Sequence, residues 1–178
     1  MGTSSFLFPD DGSIPNNPLL PMVVHVRAVE PPTSGEAIRR AEALMKANGW
    51  EPAWHNGIYP FPHYHATCHE ALLVAQGRAR VRFGGQHGVV LEICAGDVAV
   101  LPAGTGHQAL SISDDLLVIG AYPTGSSYDL CRGSTSEHKA AVTSIAQVPV
   151  PARDPILGDA GGIAVLWQSI PTARAANG

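Results

Sequence analysis

The sequence predicts a single all-β domain built from short strands, and three observations carry that expectation. The 178 residues suffice for one core, burying roughly 70% of the unfolded surface, and fall short of two full domains. With 19 Gly, 15 Pro and 15% charged residues the chain is turn-rich, which favours short strands over long helices. From Glu70 to Tyr122, apolar and β-branched runs of strand length follow one another across Gly-rich turns. A meander of that kind closes into a barrel or sandwich.

Taken in order, residues 1–21 are rich in Pro, Asn, Asp and Ser and suit an N-terminal arm that wraps the domain or frays. The domain proper is expected over residues 22–170, followed by a disordered tail at 171–178. Met22 to Val29 is a β-branched run that joins a sheet. Thr33-Ser-Gly-Glu36 has the form of a capping box, and Ile38, Ala41, Leu44 and Met45 recur at helical spacing before Asn48-Gly49. An N-terminal amphipathic helix, about Ser34 to Asn48, follows from this pattern. Trp50, Trp54, Tyr59, Phe61 and Tyr64 then cluster, as pocket lining or as an oligomer contact.

Strands are expected at Glu70–Ala75, Arg78–Phe83, Val89–Ile93, Asp97–Leu101, His107–Ser111 and Leu116–Tyr122. Arg78, Arg80 and Arg82 alternate with Ala79, Val81 and Phe83, the pattern of a strand with one wet face. The Glu70 strand is apolar on both faces except for Glu70, so it is covered on both sides and its carboxylate is buried. Ser134 to Gln147 suits a short C-terminal helix, which the prolines after Val148 end, and Ile163 to Trp167 suits a late strand. No internal repeat is present, which points to one barrel unit and not two.

Three histidines and a glutamate carry the chemistry. His63, His65 and Glu70 lie in a segment bounded by Gly57 and Gly77 with the form G-x5-H-x-H-x4-E-x6-G, and His107 closes a second segment from Gly96 with the form G-x5-P-x-G-x2-H. Side chains two apart on a strand share a face, so His63 and His65 converge while Tyr64 points away. Glu70 has the wrong parity for the same strand, so Ala66 to His69 must turn and bring it from the head of the next. Pro102 ends a strand, Ala103 to Gly106 reverse the chain, and His107 begins the return.

Imidazole suits Fe, Ni, Cu and Zn, and carboxylate suits harder ions such as Mn. One divalent transition metal ion, Fe, Ni, Mn or Zn, is therefore expected on His63, His65, Glu70 and His107. Four protein ligands leave one or two positions open in a five- or six-coordinate ion, unlike the closed tetrahedron of structural zinc. A divalent ion with one carboxylate carries a surplus positive charge, which favours an anionic or enolisable oxygen ligand such as a hydroxy or keto acid.

His69 either orients a metal ligand or shuttles protons, or is simply an exposed turn histidine, and Tyr64 is the other candidate catalytic group. Tyr59, Phe61 and Tyr64 otherwise pack the outer sheet or a partner subunit. Cys68 is expected to pack, and Arg132 either anchors a substrate carboxylate or forms a structural salt bridge. His25, His55, His87 and His138 have no ligand-like spacing. A net charge of −4 without basic runs excludes nucleic acid as a main partner. No apolar run approaches bilayer length and no leader pattern precedes the domain, so no membrane partner and a cytoplasmic location are expected. Three cysteines without a C-x-x-C pair argue against a disulfide framework.

The two glycine-framed segments resemble the two motifs of the cupin superfamily, at every defined position except that Ser111 stands where the second motif often ends in Asn. Phe8-Pro-Asp-Asp-Gly-Ser-Ile-Pro-Asn-Asn-Pro, Trp54 to His65, Gly120-Ala-Tyr-Pro and Tyr128-Asp-Leu-Cys-Arg-Gly are similar to the YjlB-like group of single-domain cupins. The resemblance implies a double-stranded β-helix, or jelly-roll, barrel with a metal site at its mouth and a homodimer; it implies no reaction. The expected function is a metal-dependent enzyme on a small oxygen-rich anion, as a dioxygenase or as a non-redox isomerase or lyase. The alternative is a non-catalytic small-molecule binding or sensing module.

Overall fold

The computed structural model describes residues 2–32 and 34–169, and the expected tail at 171–178 lies outside the described residues. Its strands are β1 (Gly2–Phe6), β2 (Met22–Val26), β3 (Trp50–Asn56), β4 (Glu70–Gln76), β5 (Arg78–Phe83), β6 (Val89–Cys94), β7 (Val98–Leu101), β8 (His107–Ile112) and β9 (Leu117–Pro123). Three helices, α1 (Gly35–Ala47), α2 (Thr135–Ile145) and α3 (Ile163–Leu166), complete the described chain. One antiparallel sheet runs β1-β2-β7-β4-β9-β3 and a second runs β6-β5-β8. They pack face to face as the flattened barrel of a jelly roll.

The period-2 alternation of the central strands decides where the core sits. Leu72 and Val74 of β4, Ala99 and Leu101 of β7 and Val118 of β9 point between the sheets, where they meet Val81, Phe83 and Ile93. The intervening Ala71, Leu73, Val98, Val100, Ile119 and Ala121 point outward, under Met45 of α1, Trp50, Ile163 and Trp167. The six-stranded sheet is therefore covered on both faces, as the apolar run after Glu70 predicts. Each large side chain buried this way contributes about 1.5–3 kcal/mol. On β5, Ala79, Val81 and Phe83 are buried, Arg78 and Arg80 are exposed, and Arg82 is half-buried.

Several elements differ from the expectation. Residues 2–6, expected within an arm, add an edge strand to β2 in the register Gly2↔Val26 to Phe6↔Met22; their Thr and Ser residues carry no strand pattern because tertiary pairing alone holds them. β3 was concealed by Pro52, yet it pairs only with β9, as an edge strand with a register shift between Trp50 and Ala53. An edge strand tolerates a proline because no ladder amide is needed there. The helix α1 is capped by Ser34, whose hydroxyl accepts from the Ala37 amide at 3.2 Å, one residue later than the capping box predicts.

The late strand expected at Ile163 to Trp167 is instead the short helix α3 followed by Trp167. A buried polar cluster explains the change. Asp154 accepts from the amides of Ile156 at 3.0 Å, Leu157 at 2.9 Å and Ile163 at 3.1 Å. It also accepts from His25 Nε2 at 2.9 Å, and Thr3 Oγ1 lies 3.0 Å from His25 Nδ1. With the Ile163 amide tied to Asp154, the 163–166 segment closes on itself, Leu166 N–H donating to Gly162 O at 2.9 Å. No helix among the described residues is long and apolar enough to cross a membrane.

Burial opposes ionisation of Asp154, but the His25 hydrogen bond and the Leu157 amide override it and hold the carboxyl below its ordinary value. The stability it contributes is present above the ordinary carboxylate pKa and is lost as pH falls through the depressed one. Asp154→Ala leaves buried donors unpaired and should cost about 3–5 kcal/mol in urea unfolding at neutral pH; a loss under about 1 kcal/mol would contradict a structural role.

Candidate metal centre

The two glycine-framed segments meet through their backbones. His63 N–H donates to His107 O at 3.2 Å and His107 N–H donates to His63 O at 2.9 Å, while Gly104 N–H donates to His65 O at 2.7 Å. The expected strand through His63 and His65 is thus an extended segment held by isolated bridges, His63 to His107 and Tyr64 to Cys131. The Pro102 to Gly106 corner is buttressed by the N-terminal arm. Asn17 Nδ2 donates to Ala103 O at 3.1 Å, and Asn16 Oδ1 accepts from Gly106 N–H at 3.2 Å. At Gly104, φ is +94° and a Cβ would lie 2.5 Å from Asn16 O, so only glycine fits this corner.

These contacts bring the four side chains named by the sequence to the inner end of one cavity, all of them buried. Ligand atoms of His63, His65 and His107 lie within 4.8 Å of one another. Glu70 is not part of that mutual set, but its Oε1 is 3.4 Å from His65 Nε2 and its Oε2 is 3.3 Å from His107 Nε2. Each imidazole is oriented from behind by a main-chain carbonyl. His63 Nδ1 meets Phe61 O at 3.1 Å, His107 Nδ1 meets Thr105 O at 3.2 Å, and His65 Nδ1 meets Asp129 O. A ring nitrogen facing a carbonyl carries the hydrogen, so in the neutral rings the Nε2 lone pairs face the centre.

The centre is therefore a concentration of acceptors. Glu70 Oε2 is buried and has no hydrogen-bond partner among the described residues, a costly arrangement that a cation relieves. Burial, with His107 second, pushes the His63 imidazole down to about 3. Burial alone would raise the Glu70 carboxyl, but the His107 and His65 imidazoles beside it hold it well below the carboxylate range. For His65 burial is overridden by the Glu70 carboxylate, which raises its value above 6.5. One neutral imidazole, one anionic carboxylate and backbone-oriented rings fit a divalent ion, with the carbonyls in the supporting role that metal-binding histidines need.

The cavity before these groups measures about 540 Å³. Trp54, Ile58, Leu72, Tyr122, Tyr128 and Leu130 form much of its wall. Tyr122 and Tyr128 stack at 5.1 Å and 15°, each edge-on to His65 at 5.8 and 5.7 Å. Burial, then the Glu70 charge, pushes the Tyr122 hydroxyl far above its ordinary value, so it keeps its proton. Asp129 is a further contributor that sequence reasoning passed over. Its carboxylate accepts from the Ala66 amide at 2.8 Å and from Thr67 Oγ1 at 2.9 Å, fixing the turn after His65. The signal was there in Tyr128-Asp-Leu-Cys-Arg-Gly, where Arg132 drew attention instead.

Of the other candidates, Tyr64, His69, Cys68 and Arg132 are not among the residues that line the cavity, whereas Tyr59 is. Tyr64 packs with Ile14, Ala66, Ala103, Ala141 and Ile145 on the far side of its segment. His69 precedes Glu70 and so faces the opposite side of the sheet, with Nδ1 accepting from the Ala103 amide at 2.9 Å and its ring 4.9 Å from Trp167; burial pushes its pKa down to about 4. Cys68 is a buried thiol whose pKa burial raises further. Arg132 lies over the Phe61 ring at 3.6 Å, a cation–π contact, and forms no salt bridge among the described residues. Phe61 stacks on Tyr59 at 4.7 Å, and both rings sit edge-on to His63.

A two-sheet barrel with inward imidazoles from two glycine-framed segments is the architecture of a cupin, and the Cupin family model matches residues 55–128. The chain is also 39% identical over 165 residues to the uncharacterized protein YjlB of Bacillus subtilis (strain 168), covering 93% of this chain and 96% of that protein. It belongs to the YjlB-like group of single-domain cupins. Among solved structures it is similar to acireductone dioxygenase from Bacillus anthracis, which has a cadmium ion in its active center. The identity there is 14%, with 58% of this chain and 79% of that one covered at a TM-score of 0.41. It is also similar to the Lactobacillus farciminis oxalate decarboxylase formate complex, at 24% identity, 55% and 34% coverage and a TM-score of 0.38.

Trp54 stands opposite Gly120 across β3 and β9, and a Cβ on Gly120 would lie 2.0 Å from the indole. Gly120→Ala should therefore displace the ring, shift tryptophan emission and cost about 1–3 kcal/mol in thermal or urea unfolding. An unchanged spectrum and midpoint would show that the wall is not packed this closely.

Proposed function

We propose that the chain is a metal-dependent enzyme that holds one divalent ion on His63, His65, His107 and Glu70 and acts on a small molecule with an anionic oxygen head. The observation that carries this reading is the convergence of three carbonyl-anchored imidazoles with a buried carboxylate oxygen that lacks a partner among the described residues. When bound, such an ion supplies Lewis-acid polarisation of a ligand oxygen and, if redox-active, electrons for oxygen chemistry. The chain's own residues bind, orient and exclude water. Glu70 sets the net charge at the centre, the backbone carbonyls hold the ring tautomers, and Tyr122 holds a proton beside Glu70. The tyrosine and tryptophan walls keep the approach to the centre largely dry.

Two reaction classes fit that arrangement, oxygen-dependent cleavage and non-redox isomerisation or elimination, and both need an oxygen ligand at the open position. The sparse supply of further acid–base groups around the cavity supports a second reading, a module that binds its ligand without turnover. Aerobic assays of keto and hydroxy acids on iron-loaded protein, with oxygen uptake followed, separate the first two. Turnover that persists with a redox-silent ion points to the isomerase or lyase. A ligand that copurifies and returns unchanged from every assay points to binding.

Protein purified anaerobically should carry about one divalent ion per chain by elemental analysis, and His63→Ala should lose at least about tenfold in metal affinity while remaining folded. Full retention of the ion by that variant would remove the assignment. Because His65 binds a proton more readily than an ordinary histidine, protons compete with the metal. Affinity should therefore rise with pH and fall as pH drops through a value above 6.5. A flat titration of metal affinity from pH 5 to 8, measured with a competing chelator, would contradict this.

A further inference from the structure

The cavity in front of the candidate metal centre is charged at one end only. Among the described residues that line it there is no lysine and no arginine. The polar side chains away from the centre are those of Asn56, Ser126 and Ser127 and the hydroxyls of Tyr59 and Tyr128, together with His55, whose Nε2 is already engaged by Glu42 at 2.7 Å. The walls are aromatic and aliphatic, and Tyr59, Tyr128 and Leu130 leave 47%, 62% and 43% of their surface exposed at the opening. Trp54 Nε1 is buried in this wall with no acceptor among the described residues.

Charge and size together narrow what can fill this space. A divalent ion with Glu70 leaves one surplus positive charge, which a singly anionic head neutralises. A dianion would leave an uncompensated negative charge in a cavity without a cationic side chain, and burying such a charge is costly. A volume of about 540 Å³ lies in the range that encloses a drug-sized ligand, well beyond the needs of a two-carbon diacid. Stacked and edge-on rings are the surroundings that a planar aromatic group prefers.

We propose that the cavity takes a ligand with a singly anionic, chelating oxygen head directed at the three histidines and Glu70, and a planar aromatic body packed against the wall of Trp54, Tyr122, Tyr128 and Leu130. This rests on the metal-centre reading above and goes beyond it in naming the ligand class.

The test uses zinc-loaded protein, so that no turnover intervenes, and titrates it by calorimetry with benzohydroxamate, acetohydroxamate and oxalate. The two hydroxamates share one head and differ only in the body. Benzohydroxamate should bind at least about tenfold tighter than acetohydroxamate, and tighter than oxalate. Tyr128→Ala removes an exposed ring of the wall and should reduce the ratio of the two hydroxamate affinities by about threefold or more. Equal affinities for the two hydroxamates, or oxalate binding tightest, on protein shown to hold zinc would overturn the ligand class and leave the metal centre standing. Protein that retains no zinc after desalting would overturn both.

Discussion

His63 and His107 exchange both of their backbone hydrogen bonds, and the remainder of the site depends on that exchange. It is a register constraint rather than a large energy term, since each bond contributes only about 0.5–1.5 kcal/mol net. Its effect lies in geometry. Once the two residues are locked opposite each other, Gly104 must meet His65, the Pro102 corner must lie under Asn16 and Asn17, and the histidine rings must face inward from two sides. A one-residue slip would turn each of these side chains to the wrong face. The N-terminal arm is accordingly part of the site, because Asn16 and Asn17 hold the corner that delivers His107.

The electrostatics follow from the same arrangement. Main-chain carbonyls behind the rings consign the imidazole hydrogens to the outside, leaving lone pairs and a carboxylate crowded at the inner end of a mostly apolar cavity. Such a grouping is unfavourable by itself and favourable around a cation. The supporting segment from Ser126 to Arg132 has two roles. Asp129 organises the turn after His65, and Tyr128 stacks on Tyr122 to build part of the cavity wall. Residues that orient the ligands and residues that shape the cavity are thus neighbours in the chain, so a change in one is felt by the other.

Much of the fold was legible because the strands of the barrel obey strong local rules. The Arg78 to Phe83 alternation and the unbroken apolar run after Glu70 give away one half-wet strand and one doubly covered strand, and both are found. Where the local pattern is weak the reading fails. The strand at 2–6 exists only through pairing with β2, the strand at 50–56 contains a proline that is harmless at an edge, and the apolar run at 163–166 closes into a helical turn beside Asp154. His69 and Tyr64 drew attention by sitting next to the ligands. Adjacent residues of an extended chain face opposite ways, so proximity in sequence places them outside the cavity.

By itself the sequence determined the barrel, its single unit and the four side chains that converge, because period-2 patterning and the spacing of glycine, proline and histidine are local properties that survive without knowledge of the fold. Only the tertiary structure decided what surrounds that convergence. The Asp129 carbonyl behind His65, the edge-on packing of Tyr128 and Tyr122 against that ring, and the cation–π placement of Arg132 over Phe61 all come from segments distant in the chain. They are brought together by sheet pairing, and pairing partners leave no periodic mark on the residues they join.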